Sequence, residues 1–266
     1  MMEQNKIYNI DCGEGLKQIQ NDTITFILTS PPYDNLRNYG NITEWNFEKF
    51  KVIAQEIKRI LKDGGVCVWV VGDATINGSE TGSSFKQALY FKEIGLNLWD
   101  TMIYKKANPI PQNHRRYEQA FEYMFVISKG KPAIFNAIKE QCKNVGKFYQ
   151  WGRENNTTER TIKHLRADDK RPTLSNKIHT NIFNYGIGGG TFNHPAVFPL
   201  KLAVDMLNTF TNIGDLVLDP FMGSGTTAIA AIKLNRHYIG FEINYNYVQC
   251  AENSIKKELC QTQLFF

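Results

Sequence analysis

Two short stretches of this sequence hold residues that can do more than pack. The first is Ser30-Pro31-Pro32-Tyr33, which follows the apolar run Ile24–Leu28. Proline has no N–H and fixes its own φ, so Pro-Pro ends a strand and leaves a turn that offers carbonyl acceptors without donors. Taken alone, that reads as a strand stop. A hydroxyl precedes the prolines, however, and an aromatic ring follows them. The second stretch, Asp219-Pro220-Phe221-Met222-Gly223-Ser224-Gly225-Thr226-Thr227-Ala228, closes an apolar run on an acid and continues as G-x-G-x-x-A. Glycines there let a ligand approach the backbone, and the following helix favours polar or anionic groups at its N-terminus. Glu242 ends the next apolar run, nineteen positions after Gly223. An acid at that spacing accepts the two hydroxyls of a ribose.

Other chemistries fit less well. No lysine follows the second glycine, so the turn is not a phosphate-gripping P-loop. A nicotinamide-dependent oxidoreductase normally opens its sheet with the glycine turn. Here the turn comes late, with forty-one residues after Gly225, and the rest of the sheet must come from upstream. The five cysteines (12, 67, 142, 250, 260) form no CxxC pair, and the five histidines (114, 164, 179, 194, 237) show no ligand spacing, so no metal site is expected.

The elements that must position these residues alternate. Strands are expected at 6–10, 24–29, 66–71, 98–104, 121–128, 216–219 and 237–243, and helices at 14–20, 47–61, near 84–94, at 199–210, 226–234 and the C-terminus. Lys62-Asp63-Gly64-Gly65 is expected to end the second helix with a glycine beyond its last turn. Residues 72–84 are expected to form a Gly/Ser-rich loop. Strands alternating with helices imply a doubly wound, mostly parallel sheet. The chain has 266 residues, 42% of them hydrophobic and 21% charged, and carries a net charge of +5. The N-terminus lacks a secretory core and no apolar run approaches membrane-spanning length, so a cytoplasmic protein is expected. Between Lys139 and Lys177 ten basic residues face five acidic ones, with Phe148, Tyr149 and Trp151 among them. That surplus fits either a solvated insertion or a polyanion-binding surface.

Together the motifs resemble the β-class of amino-group DNA methyltransferases, which use S-adenosylmethionine. The resemblance rests on "SPPY" (30–33), a variable region at about 130–193, "HPAVFP" (194–199) and "DPFMGSGTT" (219–227), in that order, with "NIDCGEGL" (9–16) matching the opening motif. It implies a Rossmann-like methyltransferase fold, circularly permuted, with seven strands in the order 3-2-1-4-5-7-6. Residues 1–129 would form the catalytic half, 130–193 an inserted target-recognition segment and 194–266 the cofactor half. Ser30, Pro31, Pro32 and Tyr33 would be catalytic: Ser30 Oγ and the Pro31 carbonyl would accept from the amine, and Tyr33 would stack on the flipped base. Asp11, Cys12, Ser30, His194, Pro195, Phe198, Pro199, Asp219, Pro220, Phe221, Gly223, Ser224, Gly225, Thr226 and Glu242 would surround the cofactor. His114, Arg115, Arg116, Lys163, Arg166, Lys170 and Arg171 would contact double-stranded DNA. Serine in place of aspartate, with "HPAVFP", resembles the cytosine-N4 subgroup. Adenine-N6 is the alternative, followed by an RNA amino-methyltransferase and a non-catalytic nucleic-acid-binding protein. A cognate restriction endonuclease and a homodimer are left open.

Overall fold

The structure is a computed structural model that describes residues 2–32, 45–109, 115–142, 175–186 and 199–263. Its elements in chain order are β1 (Lys6–Tyr8), α1 (Cys12–Lys17), β2 (Ile24–Thr29), α2 (Phe47–Ile60), β3 (Leu61–Val71), β4 (Thr75–Ile76), β5 (Ser79–Glu80), α3 (Ser83–Glu93), β6 (Asn97–Lys106), β7 (Phe121–Ser128), β8 (Lys139–Gln141), β9 (Asn176–Ile178), β10 (Ile182–Tyr185), α4 (Leu200–Phe210), β11 (Leu216–Asp219), α5 (Thr226–Lys233), β12 (His237–Phe241) and α6 (Tyr245–Gln263). Among the described residues no helix is long and apolar enough to cross a membrane.

The chain divides into two compact units, one of residues 1–136 with 181–266 and one of residues 137–180. The smaller unit falls within residues 130–193. Its described part is the antiparallel pair β8–β9, joined by an exposed Lys177–Glu140 ion pair of 2.8 Å.

The larger unit is built on one eight-stranded sheet in the order β1-β12-β11-β2-β3-β7-β6-β10. The first seven follow the permuted order that the resemblance implies. The eighth, β10, lies within residues 130–193 in sequence and pairs parallel with β6 from Ile182↔Ile103 to Tyr185↔Lys106. Only β7 runs against its neighbours. The central strand β2 and the Val66–Val71 part of β3 are almost wholly apolar runs because both faces are covered. On one face Phe50 of α2 and Phe91 of α3 meet Trp69 of β3 at ring separations of 5.7 and 5.5 Å. The Trp69 indole N–H is satisfied by buried Gln87 at 2.8 Å. Elsewhere Phe210 of α4 stacks on Phe26 of β2 at 5.8 Å.

Local details differ from expectation: β1 ends at Tyr8 and α1 spans Cys12–Lys17, and three further differences have a physical reason or bear on the site. Helix α2 stops at Ile60, before Lys62-Asp63-Gly64-Gly65, and these residues belong to β3. Gly64 there has φ +76°, and an added Cβ would meet Ala133 Cβ at 2.7 Å, so the glycine serves an irregular strand entry rather than a helix cap. The expected loop at 72–84 contains the small hairpin β4–β5, turned by Asn77 (φ 51°) and Gly78 (φ 79°). Strand β12 stops at Phe241, so Glu242 stands just past it.

Candidate active site

Strands β11, β2 and β3 are parallel, so their carboxyl ends open on the same edge of the sheet. In open α/β sheets that edge, where the strand order reverses direction, is where ligands bind. Both motifs lie on it. Ser30 directly follows β2 and is half-buried, Pro31 is buried and Pro32 half-buried. Tyr33 lies outside the described residues. From β11 the chain turns through Pro220 to Thr226 into α5, with Gly223 at φ 53° and Gly225 at φ 89°.

The turn is held from below. The Met222 N–H donates to the Phe241 carbonyl at 2.9 Å, and an added Cβ on Gly240 would strike Met222. Gly225 lies against α6, where a Cβ would come within 2.9 Å of Ala251 Cβ. Phe221 is half-buried, with the Trp45 ring edge-on at 5.4 Å.

Two buried acids frame the turn. Asp219, 1% exposed, accepts from Thr29 Oγ1 (2.7 Å) and the Phe221 N–H (3.1 Å) on Oδ1, and from Thr227 Oγ1 (2.6 Å) on Oδ2. Burial pushes its carboxyl up to about 6; the hydrogen bonds from Thr227, Thr29 and Phe221 pull it down, and Glu242 adds repulsion. Glu242, 9% exposed, accepts from the Gly223 N–H (2.9 Å) on Oε2 and from the Asn244 N–H (2.8 Å) on Oε1. Burial raises its carboxyl as well, against the N–H groups of Asn244, Gly223 and Ile243. An ionised carboxylate has about four acceptor sites, so each oxygen of Glu242 keeps capacity for a further donor.

The opening motif supplies a third acid. Asp11 caps α1, accepting from the Gly13 N–H at 2.8 Å, and pairs with Lys49 of α2 at 2.8 Å. Burial alone would raise its carboxyl, but Lys49 and the N–H groups of Gly13 and Glu14 together hold it below the ordinary range. The Cys12 thiol is buried, and burial, with Asp11 beside it, pushes it up to about 12, so it stays protonated. Pro199 stands at the N-terminus of α4.

The remaining expected residues separate into two groups. Arg115 and Arg116 are exposed, and Arg116 donates to the Gly78 carbonyl of the β4–β5 turn. His114, Lys163, Arg166, Lys170, Arg171, His194, Pro195 and Phe198 lie outside the described residues. Thr29, Thr227, Lys49, Trp45 and Gly240 are residues that sequence reasoning missed. A glycine inside an apolar strand signals a close backbone approach, so Gly240 carried a readable sign. Thr29 carried one only in flanking the first motif, and Thr227 only in lying inside the second. Among the described residues no cluster of His, Cys, Asp or Glu is arranged to hold a metal ion.

The sequence matches the DNA methylase family model N6_N4_Mtase over residues 24–253. It is 46% identical over 243 residues to the orphan methyltransferase M.BamHII of Bacillus amyloliquefaciens, covering 88% of this chain and 89% of that one. The type II methyltransferase M.SmaI of Serratia marcescens is 26% identical, covering 94% and 90%. Among solved structures, the fold is similar to the cytosine-N4-specific PvuII DNA methyltransferase, with TM-score 0.70, 20% identity and coverage of 95% and 86%. It is also similar to M1.HpyAVI, solved as a complex with SAM, with TM-score 0.59, 26% identity and coverage of 94% and 98%. A match across most of the chain, carried by a site of this composition at the switch point of the sheet, means that the chain belongs to the N6/N4 family of DNA methylases.

Proposed function

We propose that this methyltransferase uses S-adenosylmethionine to methylate the exocyclic N4 of cytosine in a base flipped out of duplex DNA. The observation that carries the reading is the 2.7 Å bond from Thr29 to Asp219, because it sets Ser30-Pro31 beside the glycine turn. The turn suits the cofactor: its glycines put no side chain over the backbone, and Glu242 keeps acceptor capacity for two ribose hydroxyls. Phe221, Ser224 and Thr226 belong to the same turn or its exit, and Asp11, paired with Lys49, caps α1 just after β1. His194, Pro195, Phe198 and Pro199 complete the cofactor wall in this reading. S-adenosylmethionine, when bound, supplies a methyl group already activated by a cationic sulfur.

The chain's own task is to make an aromatic amine react. Its lone pair is delocalised into the ring. The Ser30 hydroxyl and the Pro31 carbonyl accept from the two amine N–H bonds, which favours a tetrahedral nitrogen and frees the lone pair. Tyr33 stacks on the extruded base and returns about 1–3 kcal/mol of the stacking given up on flipping. Neither step needs a covalent intermediate, so positioning carries much of the rate. Serine in place of aspartate at position 30, together with the 194–199 motif, resembles the cytosine-N4 subgroup, and this resemblance favours N4 of cytosine over N6 of adenine. Residues 130–193 supply target recognition in this reading. Nucleoside mass spectrometry of DNA and RNA treated with the enzyme tests it. N4-methylcytosine in DNA is expected. N6-methyladenine alone would refute the base, modification of RNA alone would refute the substrate, and no modification of either would refute catalysis.

A further inference from the structure

The backbone ladder between β11 and β2 is short. Its paired residues are Val217↔Phe26 and Leu218↔Ile27, and it ends there. Asp219 and Thr29 lie beyond it, at the very end where the two motifs begin. The strands are joined at that end by a side-chain bond, Thr29 Oγ1 to Asp219 Oδ1 at 2.7 Å, with Thr29 fully buried and Asp219 1% exposed. The same carboxylate holds the N–H of Phe221, which opens the glycine turn, and the hydroxyl of buried Thr227, in the first turn of α5. One group therefore fixes three points: the residue before Ser30, the start of the glycine turn, and its exit helix.

We propose that Asp219 and Thr29 are positioning residues that set the distance between the acceptor turn and the donor turn, and that Asp219 makes no contact with the cofactor. The inference rests on the proposed methyl transfer. The carboxylate is sealed inside the protein, and three protein donors already occupy it. A cofactor ligand must instead present an open face, as Glu242 can. A small-molecule site on two turns from opposite halves of the chain needs a rigid spacer between them. A shift of about 1 Å in such a site costs on the order of 10²-fold in rate. Thr29 is the better handle, because Thr29→Val keeps shape and strand propensity, removes only the donor, and leaves Asp219 bonded to Phe221 and Thr227.

The test uses the full chain, with three readouts: single-turnover methyl transfer to DNA, S-adenosylmethionine affinity by calorimetry, and thermal unfolding. Thr29→Val is expected to slow transfer by roughly 10- to 100-fold while cofactor affinity changes by less than about threefold. Thr29→Ser, which restores the hydroxyl, is expected to recover the rate. Adding Thr29→Val to Asp219→Asn is expected to slow transfer by less than it does in the wild type, since the two act through one bond. Thr29→Ala is the second variant and must show the same split between rate and affinity. A wild-type rate in Thr29→Val, a rate loss matched by an equal loss of cofactor affinity, or failure of serine to rescue would each overturn the proposal. If the wild type itself transfers no methyl group, the functional reading falls first and this inference falls with it.

Discussion

Glu242 and Asp219 are both buried carboxylates at the ends of neighbouring strands, yet their partners give them different work. Each oxygen of Glu242 takes one backbone N–H, Oε2 from Gly223 of the turn and Oε1 from Asn244. Glu242→Ala should therefore lower S-adenosylmethionine affinity by about ten- to a hundredfold, the equivalent of losing one charge-assisted bond or more. Unchanged calorimetric affinity in a folded variant would remove Glu242 from the ribose site. Asp219 makes a prediction about pH. Its carboxyl is raised to about 6 by burial, against its three hydrogen bonds, with Glu242 and the buried Cys67 thiol as its titratable neighbours. A carboxyl whose folded value is raised lends stability that is complete below its ordinary value of about 4 and is lost as pH rises through about 6. Asp219→Asn carries no such term, so the stability of the wild type relative to the variant should fall between pH 4 and pH 6 and level off above. Urea unfolding at stepped pH measures this, and a flat difference would mean that Asp219 ionises normally. Spacing in the sequence pointed to Glu242, and the structure joins it by a hydrogen bond to Gly223, nineteen residues earlier in the turn that follows the adjacent strand. The internal use of Asp219 was not legible, since its partner Thr29 is 190 positions away and only the sheet order brings them together.

At the scale of elements, the apolar runs of β2, β3, β7 and β11 were readable because central strands are buried on both faces and their burial leaves a continuous sequence signature. The amphipathic α2 was readable for the equivalent reason, with Phe50, Ile53, Ala54, Ile57 and Ile60 buried along one side. Short edge pieces left no such mark. In β10, Ile182 and Asn184 are exposed while Phe183 and Tyr185 are buried, and four residues of alternation are too few to stand out in a polar region. Glycines were legible as punctuation but not by role, and Gly64 and Gly225 show why. Both have positive φ, yet one enters a strand and the other lies under a helix. Gly225→Ala has two separate costs. The left-handed conformation costs a non-glycine residue about 1–2 kcal/mol. The new Cβ would also stand 2.9 Å from Ala251 Cβ and 3.2 Å from its Cα, so α6 would have to move. Overpacking of this kind costs typically ~1–3 kcal/mol. Gly225→Ala should thus unfold at lower denaturant and bind S-adenosylmethionine more weakly, because the element that moves supports the turn. A variant as stable as the wild type would show that α6 yields without cost.

For the whole molecule, charge is distributed by region rather than spread evenly. The net charge is +5, and the segment from Lys139 to Lys177 has ten basic and five acidic residues, so the rest of the chain is balanced. In the larger unit many cations sit in ion pairs, such as Lys49–Asp11, Lys106–Glu122 and Lys233–Glu258. A DNA methylase must neutralise phosphates somewhere, and the surplus lies almost wholly in one stretch. Within it Lys163, Arg166, Lys170 and Arg171, which lie outside the described residues, are the proposed phosphate contacts. Each phosphate contact releases about one counterion from duplex DNA, so the slope of log affinity against log salt reports how many phosphates the protein neutralises. Replacing these four with glutamine should weaken DNA binding at low salt and flatten that slope by up to about four, nearly one for each cation removed. Affinity for S-adenosylmethionine should not change, because the glycine turn and Glu242 belong to the other unit. Fluorescence anisotropy on a labelled duplex at stepped salt concentrations gives the slope. An unaltered slope would make the segment a solvated insertion and move the search for phosphate contacts to Arg115 and the β4–β5 hairpin, where Arg116 already holds the turn.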